Sequence, residues 1–369
     1  MKLKIPAYLS DIAPYVPGKP IDELEREYGI ADSIKLASNE NPLGPSPRAM
    51  EAIAREMAKV HRYPDDSAHL LLTKLAAKLG VRPEQIVLGN GSDDILGLLG
   101  RALLQPDDEV IIPTPSFLVY AIVTQSAGAV PVAVPLKDMV IDLEAILKRV
   151  GPRTRMIFIC NPNNPTGTMV TQAAFSDFMK RLPPDVLVVL DEAYIDFVRD
   201  SGGIQSFSWL DGDPPVVVLR TFSKVYGLAG LRIGYGVMSR AMAQVLHQVR
   251  LPFNVNSLAQ AAAAAALDDT EFLERTITLI HEGLDYLYAE LDKRRGRFFP
   301  THTNFFLIDM QRNAKQVFEQ FLRQGVIVRA MSAYGYPEYI RINVGRPEEN
   351  RRFIAALDHV IAERPGKSA

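Results

Sequence analysis

The chain has 369 residues, 47% hydrophobic and 23% charged, with a formal net charge of -2. A globular chain of this length can bury the cores of two domains without disulfide or metal staples. The near-zero charge gives no electrostatic footprint for nucleic acid or an acidic membrane surface, and six scattered histidines beside one cysteine, Cys160, exclude a disulfide framework and make a zinc site unexpected.

Residues 1–30 read as an arm, because Pro6, Pro14, Pro17 and Pro20 deny them a long helix. The segment lacks the apolar stretch of a secretory signal, and no run approaches the roughly 20 apolar residues that span a bilayer. A soluble, cytoplasmic protein is the expectation. From 31 to 252 short apolar runs alternate with amphipathic stretches. The runs at 86–88, 109–112, 156–159, 186–190 and 216–219 suit strands buried on both faces of a parallel sheet. Between them, 93–104 and 172–181 have helical patterning. This alternation predicts a large α/β domain with its chemistry at the carboxyl ends of the strands.

After Pro252 the texture changes. Residues 256–267 include six consecutive alanines, which predict a closely packed buried helix. A long helical pattern runs on to about residue 295. Strand patterns at 304–308, 326–328 and 339–344, a helix near 315–324 and a final helix complete a smaller α+β domain over 253–369.

Chemistry-bearing segments follow the buried runs. Val188-Val189-Leu190 leads into Asp191-Glu192-Ala193-Tyr194, and Val217-Val218-Leu219 leads through Arg220 to Thr221, Ser223 and Lys224, with Gly227, Gly230 and Arg232 beyond. Phe158-Ile159-Cys160 precedes Asn161 to Gly167, and Val87-Leu88 precedes Gly89-Asn90-Gly91-Ser92-Asp93 at a helix start. A dinucleotide site at Gly89 is excluded, since no G-x-G-x-x-G follows that run.

The segments SNENPLGPSP (38–47), YPD (63–65), GNGSDD (89–94), NPNNPTG (161–167), DEAYIDF (191–197), RTFSKVYGLAGLRIGY (220–235) and RINVG (341–345) span nearly the whole chain in order. In these the sequence resembles the fold-type I pyridoxal-phosphate enzymes and, among them, the histidinol-phosphate aminotransferases. Val225 is a small departure, since relatives often carry a smaller residue there. The resemblance implies pyridoxal 5'-phosphate as cofactor and Lys224 as its Schiff-base lysine. It implies Asp191, rather than neighbouring Glu192, as the acid at the ring nitrogen. Tyr194 and Asn164 are implied as donors to the phenolic oxygen, and Phe117 as the aromatic stacked on the ring, although an aromatic beside a buried strand also serves as core.

For the cofactor phosphate, Gly91, Ser92 and Asp93 offer backbone N–H groups at a helix N-terminus. Thr221 and Ser223 add hydroxyls and Arg232 a guanidinium. Asp93 and Asp94 would repel phosphate through their carboxylates, so these are expected to point away. Tyr63 matches a tyrosine that reaches the neighbouring subunit's cofactor, which implies a homodimer. Arg341, Arg329 and Tyr15 match positions that bind the substrate's acidic group. The implied reaction takes histidinol phosphate and 2-oxoglutarate to imidazole-acetol phosphate and glutamate in histidine biosynthesis. An aromatic amino acid aminotransferase and a threonine-phosphate decarboxylase would need the same lysine and aspartate.

Overall fold

The computed structural model describes residues 4–10, 12–199 and 203–363. Beyond the last arm proline a helix forms over Ile21–Tyr28, closed by Gly29 in the left-handed conformation, and β1 (Ile34–Lys35) follows. The next strands are β2 (Ile86–Gly89), β3 (Glu109–Thr114), β4 (Val130–Pro135), β5 (Thr154–Cys160), β6 (Leu187–Asp191), β7 (Val216–Thr221) and β8 (Gly234–Val237). They build one sheet in the order β2-β8-β7-β6-β5-β3-β4. β8 runs antiparallel to both neighbours, and the other pairings are parallel.

The continuous apolar runs work because successive side chains of a strand point to opposite faces. Ile157 and Ile159 of β5 join Ile111, Val188 and Val218 in one core. Met156, Phe158 and Cys160 join Val110, Val189 and Val217 in the other. Each fully buried Val, Ile or Phe contributes about 1.5–3 kcal/mol of transfer free energy. Helices cover both faces: Ser92–Leu103 and Arg240–Val249 on one side, Gln172–Arg181 and Ser257–Ala266 on the other. The alanine run is that last helix. Asn256 caps it by accepting from the Ala259 N–H, and its small side chains let it lie close along the helix Pro47–Glu56.

In the C-terminal third the helix Thr270–Lys293 precedes β9 (Arg297–Phe299), β10 (Phe305–Asp309), β11 (Val326–Ile327), β12 (Arg329–Ala330) and β13 (Tyr339–Asn343). Four of these form an antiparallel sheet, β12-β13-β10-β9, packed with the helices Ala314–Arg323 and Pro347–Ala362. The remaining one, β11, pairs in parallel with β1, Ile34 opposite Val326. Residues 34–35 therefore hydrogen-bond to this region and not to the large sheet. Leu24 and Ala37 pack there with Leu322 and Ile327, and that apolar contact draws the N-terminal segment across. Among the described residues no helix is long and apolar enough to cross a membrane.

Candidate active site

The carboxyl ends of β5, β6 and β7 and the N-terminus of the helix Ser92–Leu103 open on one cavity of about 400 Å³. Asp191 closes β6 and is only 4% exposed. Its Oδ1 accepts from the Ala193 N–H at 3.1 Å and its Oδ2 from the Tyr120 hydroxyl at 2.6 Å. Neither partner is a cation. Burial pushes its pKa up to about 6, against the opposing pull of the Tyr120 hydrogen bond. Glu192, the rival acid, turns the other way and accepts from Arg220 Nε at 2.9 Å and Nη2 at 2.7 Å. The alternation of β6 thus decides between the two acids.

Lys224 lies on the turn after β7 and lines the same cavity. Its Nζ donates to the Ser38 carbonyl at 3.4 Å and stands 5.5 Å from the centre of the Tyr194 ring. Burial, and then the positive charge of Arg341, lowers its pKa to about 8. A neighbouring segment clamps this turn: Asn41 Nδ2 donates to the Val225 carbonyl at 2.8 Å. Gly227, at φ +68°, sits so close to Gly44 that a Cβ would stand 2.0 Å from the Gly44 carbonyl oxygen. Gly227→Ala is therefore expected to cost about 3 kcal/mol or more of stability, read as a lower urea midpoint. A shift of under about 0.5 kcal/mol would show that the clamp is loose.

Tyr194 Oη accepts from Asn39 Nδ2 at 2.9 Å, which leaves its own hydrogen to donate. Asn164 Oδ1 accepts from Arg341 Nη1 at 2.5 Å, which fixes the amide so that its NH2 group is the end left for a ligand. Phe117 lines the cavity and meets Tyr120 edge to face, ring centres 5.5 Å apart.

At the far end Gly91 has φ +85°, and a Cβ there would stand 2.7 Å from Arg232 Nη2. No side chain caps the helix that follows, so its first N–H groups face the cavity end where Ser92, Thr221, Ser223 and Arg232 gather. Asp94 points away, accepting from the Asn90 N–H and from Asn254 Nδ2. Asp93 does not: it lines the cavity with Oδ2 3.3 Å from Arg232 Nη2, drawn there by the guanidinium.

Of the expected residues, Gly91, Tyr63, Arg329 and Arg341 do not line the cavity. Arg341 stands behind Asn164, 6% exposed, and its Nη2 donates to the Ala37 carbonyl at 2.9 Å. Its Nε is buried without a partner. Arg329 is its register partner across β12 and β13; it donates to the Val16 carbonyl at 2.6 Å and lies 6.0 Å from the ring of Tyr15. Two guanidiniums side by side, with no carboxylate among these contacts, favour an anion. Tyr63 is 83% exposed, stacked on Phe253 outside the cavity. Tyr120 and Asn39 were not singled out from the sequence. Asn39 lay in the SNENPLGPSP segment, while Tyr120 sits on a helix among apolar residues where an aromatic reads as core.

A mostly parallel sheet carrying a half-buried lysine and a buried aspartate at one carboxyl edge defines a class of enzymes, and the comparison with known families agrees. The family model for aminotransferases of class I and II matches residues 31–357, and the chain belongs to that family. Within it the chain falls among the histidinol-phosphate aminotransferases. It is similar to the histidinol-phosphate aminotransferase of Desulfotalea psychrophila, 49% identical over 98% of this chain and 97% of that protein. The enzyme of the same name from Moorella thermoacetica is 47% identical over 95% of this chain and 91% of that one. Among solved structures, histidinol-phosphate aminotransferase from Sinorhizobium meliloti in complex with pyridoxal-5'-phosphate superposes with a TM-score of 0.91 at 28% identity, covering 98% of each chain.

Proposed function

We propose that this enzyme binds pyridoxal 5'-phosphate and moves the amino group of histidinol phosphate to 2-oxoglutarate, giving imidazole-acetol phosphate and glutamate. The observation that carries this reading is one cavity holding Lys224 and the cation-free carboxylate of Asp191, with Arg341 and Arg329 grouped behind its wall.

The donor set fits the cofactor. Asp191 offers a buried anion to a protonated ring nitrogen, and Asn164 and Tyr194 offer N–H and O–H donors to a phenolic oxygen. The close approach of Gly91 to Arg232 leaves room only for a glycine beside the uncapped helix, a cradle suited to a phosphate. Asp93 keeps its Arg232 contact there, so backbone amides and the hydroxyls of Thr221 and Ser223 carry the phosphate contacts. When bound, pyridoxal phosphate supplies an electron sink for the electrons of the substrate's Cα–H bond.

The protein's own groups do the rest. Lys224 would hold the cofactor aldehyde and, once free, would carry the proton from the substrate's α-carbon across the amino nitrogen to the carbon that had been the aldehyde. Asp191 keeps the ring nitrogen charged through that step. Arg341, helped by Arg329 and Tyr15, receives the phosphate of one substrate and the carboxylate of the other, so one anion site serves both. Tyr15, at the cavity mouth and 44% exposed, covers the substrate and sheds water.

The lowered pKa of Lys224 has a rate consequence. At pH 7.4 about one lysine in five is neutral at a pKa near 8, against roughly one in a thousand for an ordinary lysine. Uptake of pyridoxal phosphate by the cofactor-free enzyme, followed by stopped-flow absorbance, should speed up with pH and level off above about 8. A rate still climbing towards 10 would contradict the buried amine.

Arg341→Lys should raise KM for both histidinol phosphate and 2-oxoglutarate by roughly 30- to 100-fold, since an ammonium cannot reproduce the planar fork. A rise for one substrate alone would break the shared-site reading.

On this reading the enzyme is a cytoplasmic homodimer in which Tyr63, exposed in one chain, reaches the cofactor phosphate of the partner. The arm at 1–30, the cofactor-binding unit at 31–252 and the smaller unit at 253–369 then meet around the site. Steady-state assays with histidinol phosphate, phenylalanine and phosphothreonine test the substrate. The highest kcat/KM is expected with histidinol phosphate, and preference for either of the others would overturn the assignment.

A further inference from the structure

We infer that Tyr120 is a positioning residue for the reaction: its hydroxyl holds Asp191 as an oriented anion for the cofactor's ring nitrogen. The inference rests on the cofactor reading above and on four observations. Tyr120 has no exposed surface, so its hydroxyl cannot be satisfied by bulk water. Its hydrogen bond to Asp191 Oδ2 measures 2.6 Å, the length of a charge-assisted O–H···O contact. Its ring is clamped on both sides, stacked on Phe158 at 4.5 Å and edge-on to Phe117 at 5.5 Å. Finally, the other oxygen of Asp191 is held by the Ala193 N–H, so each oxygen has one fixed donor and the plane of the carboxylate is set.

The chemistry needs this support. A buried aspartate is driven to take up a proton, and a neutral carboxyl would no longer counter a charged ring nitrogen. The other groups that act on Asp191 are Asp93, which opposes its charge, Lys224, which favours it, and the Cys160 thiol and Tyr194 phenol, both held protonated by burial. Among the described residues only Tyr120 donates a side-chain hydrogen bond to it. Tyr120 also sets the angle of Phe117, so one residue aligns the acid and the aromatic wall.

Tyr120→Phe keeps the packing and removes one oxygen, which separates positioning from core filling. In the purified holoenzyme, kcat should fall roughly ten- to a hundredfold with KM changed less than about threefold. The pH midpoint of the cofactor's visible absorption should rise by about half a unit or more, because a ring that holds its nitrogen proton less firmly no longer acidifies the Lys224 nitrogen. A third reading is the urea midpoint of the cofactor-free full chain. The deficit of Tyr120→Phe against the parent should be larger at pH 8, where Asp191 is ionised, than at pH 5. An unshifted absorption midpoint together with a deficit equal at both pH values would make Tyr120 a core residue only and overturn the inference. Loss of the absorption shift in a Tyr120→Phe/Asp191→Asn double variant relative to Asp191→Asn would support it. If instead the parent enzyme shows no visible cofactor band at all, the cofactor reading itself fails, and the two failures are distinct.

Discussion

Lys224→Ala is expected to lower turnover of histidinol phosphate by at least about 10⁴-fold, because on the proposed mechanism the variant loses both the group that holds the cofactor and the base that moves the α-proton. The nitrogen concerned lies in the cavity that Asp191, Asn164 and Tyr194 also line, and among the described residues its hydrogen bond is the long 3.4 Å contact to the Ser38 carbonyl. Nothing in the fold depends on that contact. The desolvated ammonium itself costs stability below about pH 8, where the folded chain is protonated against its lowered pKa. The cofactor-free variant should therefore be at least as stable as the parent in urea at pH 7 and should lose that advantage as pH rises towards 10. Single-turnover kinetics with each substrate separate the two roles: binding signals should persist while proton transfer disappears. A variant retaining more than about 1% of parental turnover would show that another base can serve.

Asp191→Asn should divide activity from stability. Turnover is expected to fall by about 10³-fold, since an amide cannot balance a charged ring nitrogen in a buried site. The cofactor-free chain should respond in the opposite direction. Asp191 has a folded pKa raised to about 6 from an ordinary 3.8, so between those values the folded chain holds a proton that the unfolded chain has lost. Stability is then fully present below about pH 3.8, declines as pH rises through 6, and stays reduced above it. The two-unit displacement corresponds to about 3 kcal/mol at most, and Asp191→Asn removes that penalty only where the acid would be ionised. Urea midpoints at pH 5 and pH 8 read this directly. The variant should gain on the parent at pH 8 and gain less at pH 5, while an equal effect at both pH values would contradict the buried anion.

Much of this architecture was legible because the physics is local. A run such as Met156 to Cys160 can be satisfied only where both faces are covered, and it fills both cores of the sheet. The alanine run could be read as a buried helix from propensity and size alone. Strand β4 was not legible. Pro131 and Pro135 interrupt it and its faces are half exposed, a pattern tolerated because it lies at the sheet edge beyond β3. The pairing of β1 with β11 joins residues nearly three hundred positions apart, and nothing in either short stretch announces it.

The site divides in the same way. Lys224 and Asp191 stand just past apolar runs within distinctive segments, and the fold brings the two to one cavity as those positions suggested. The orientation of Asp93 was misjudged, since repulsion by an incoming phosphate was weighed and attraction to Arg232 was not. Tyr120 went unremarked because its neighbours on the helix Val119–Ser126 are those of a core residue. Its role rests on a hydrogen bond across 71 positions, which only the folded chain displays.

Borohydride reduction of the purified yellow holoenzyme, followed by peptide mapping, tests the central claim most directly. The account predicts loss of the visible band and a single pyridoxyl-phosphate adduct on Lys224. An adduct on any other lysine, or no chromophore after pyridoxal phosphate has been added, would contradict it.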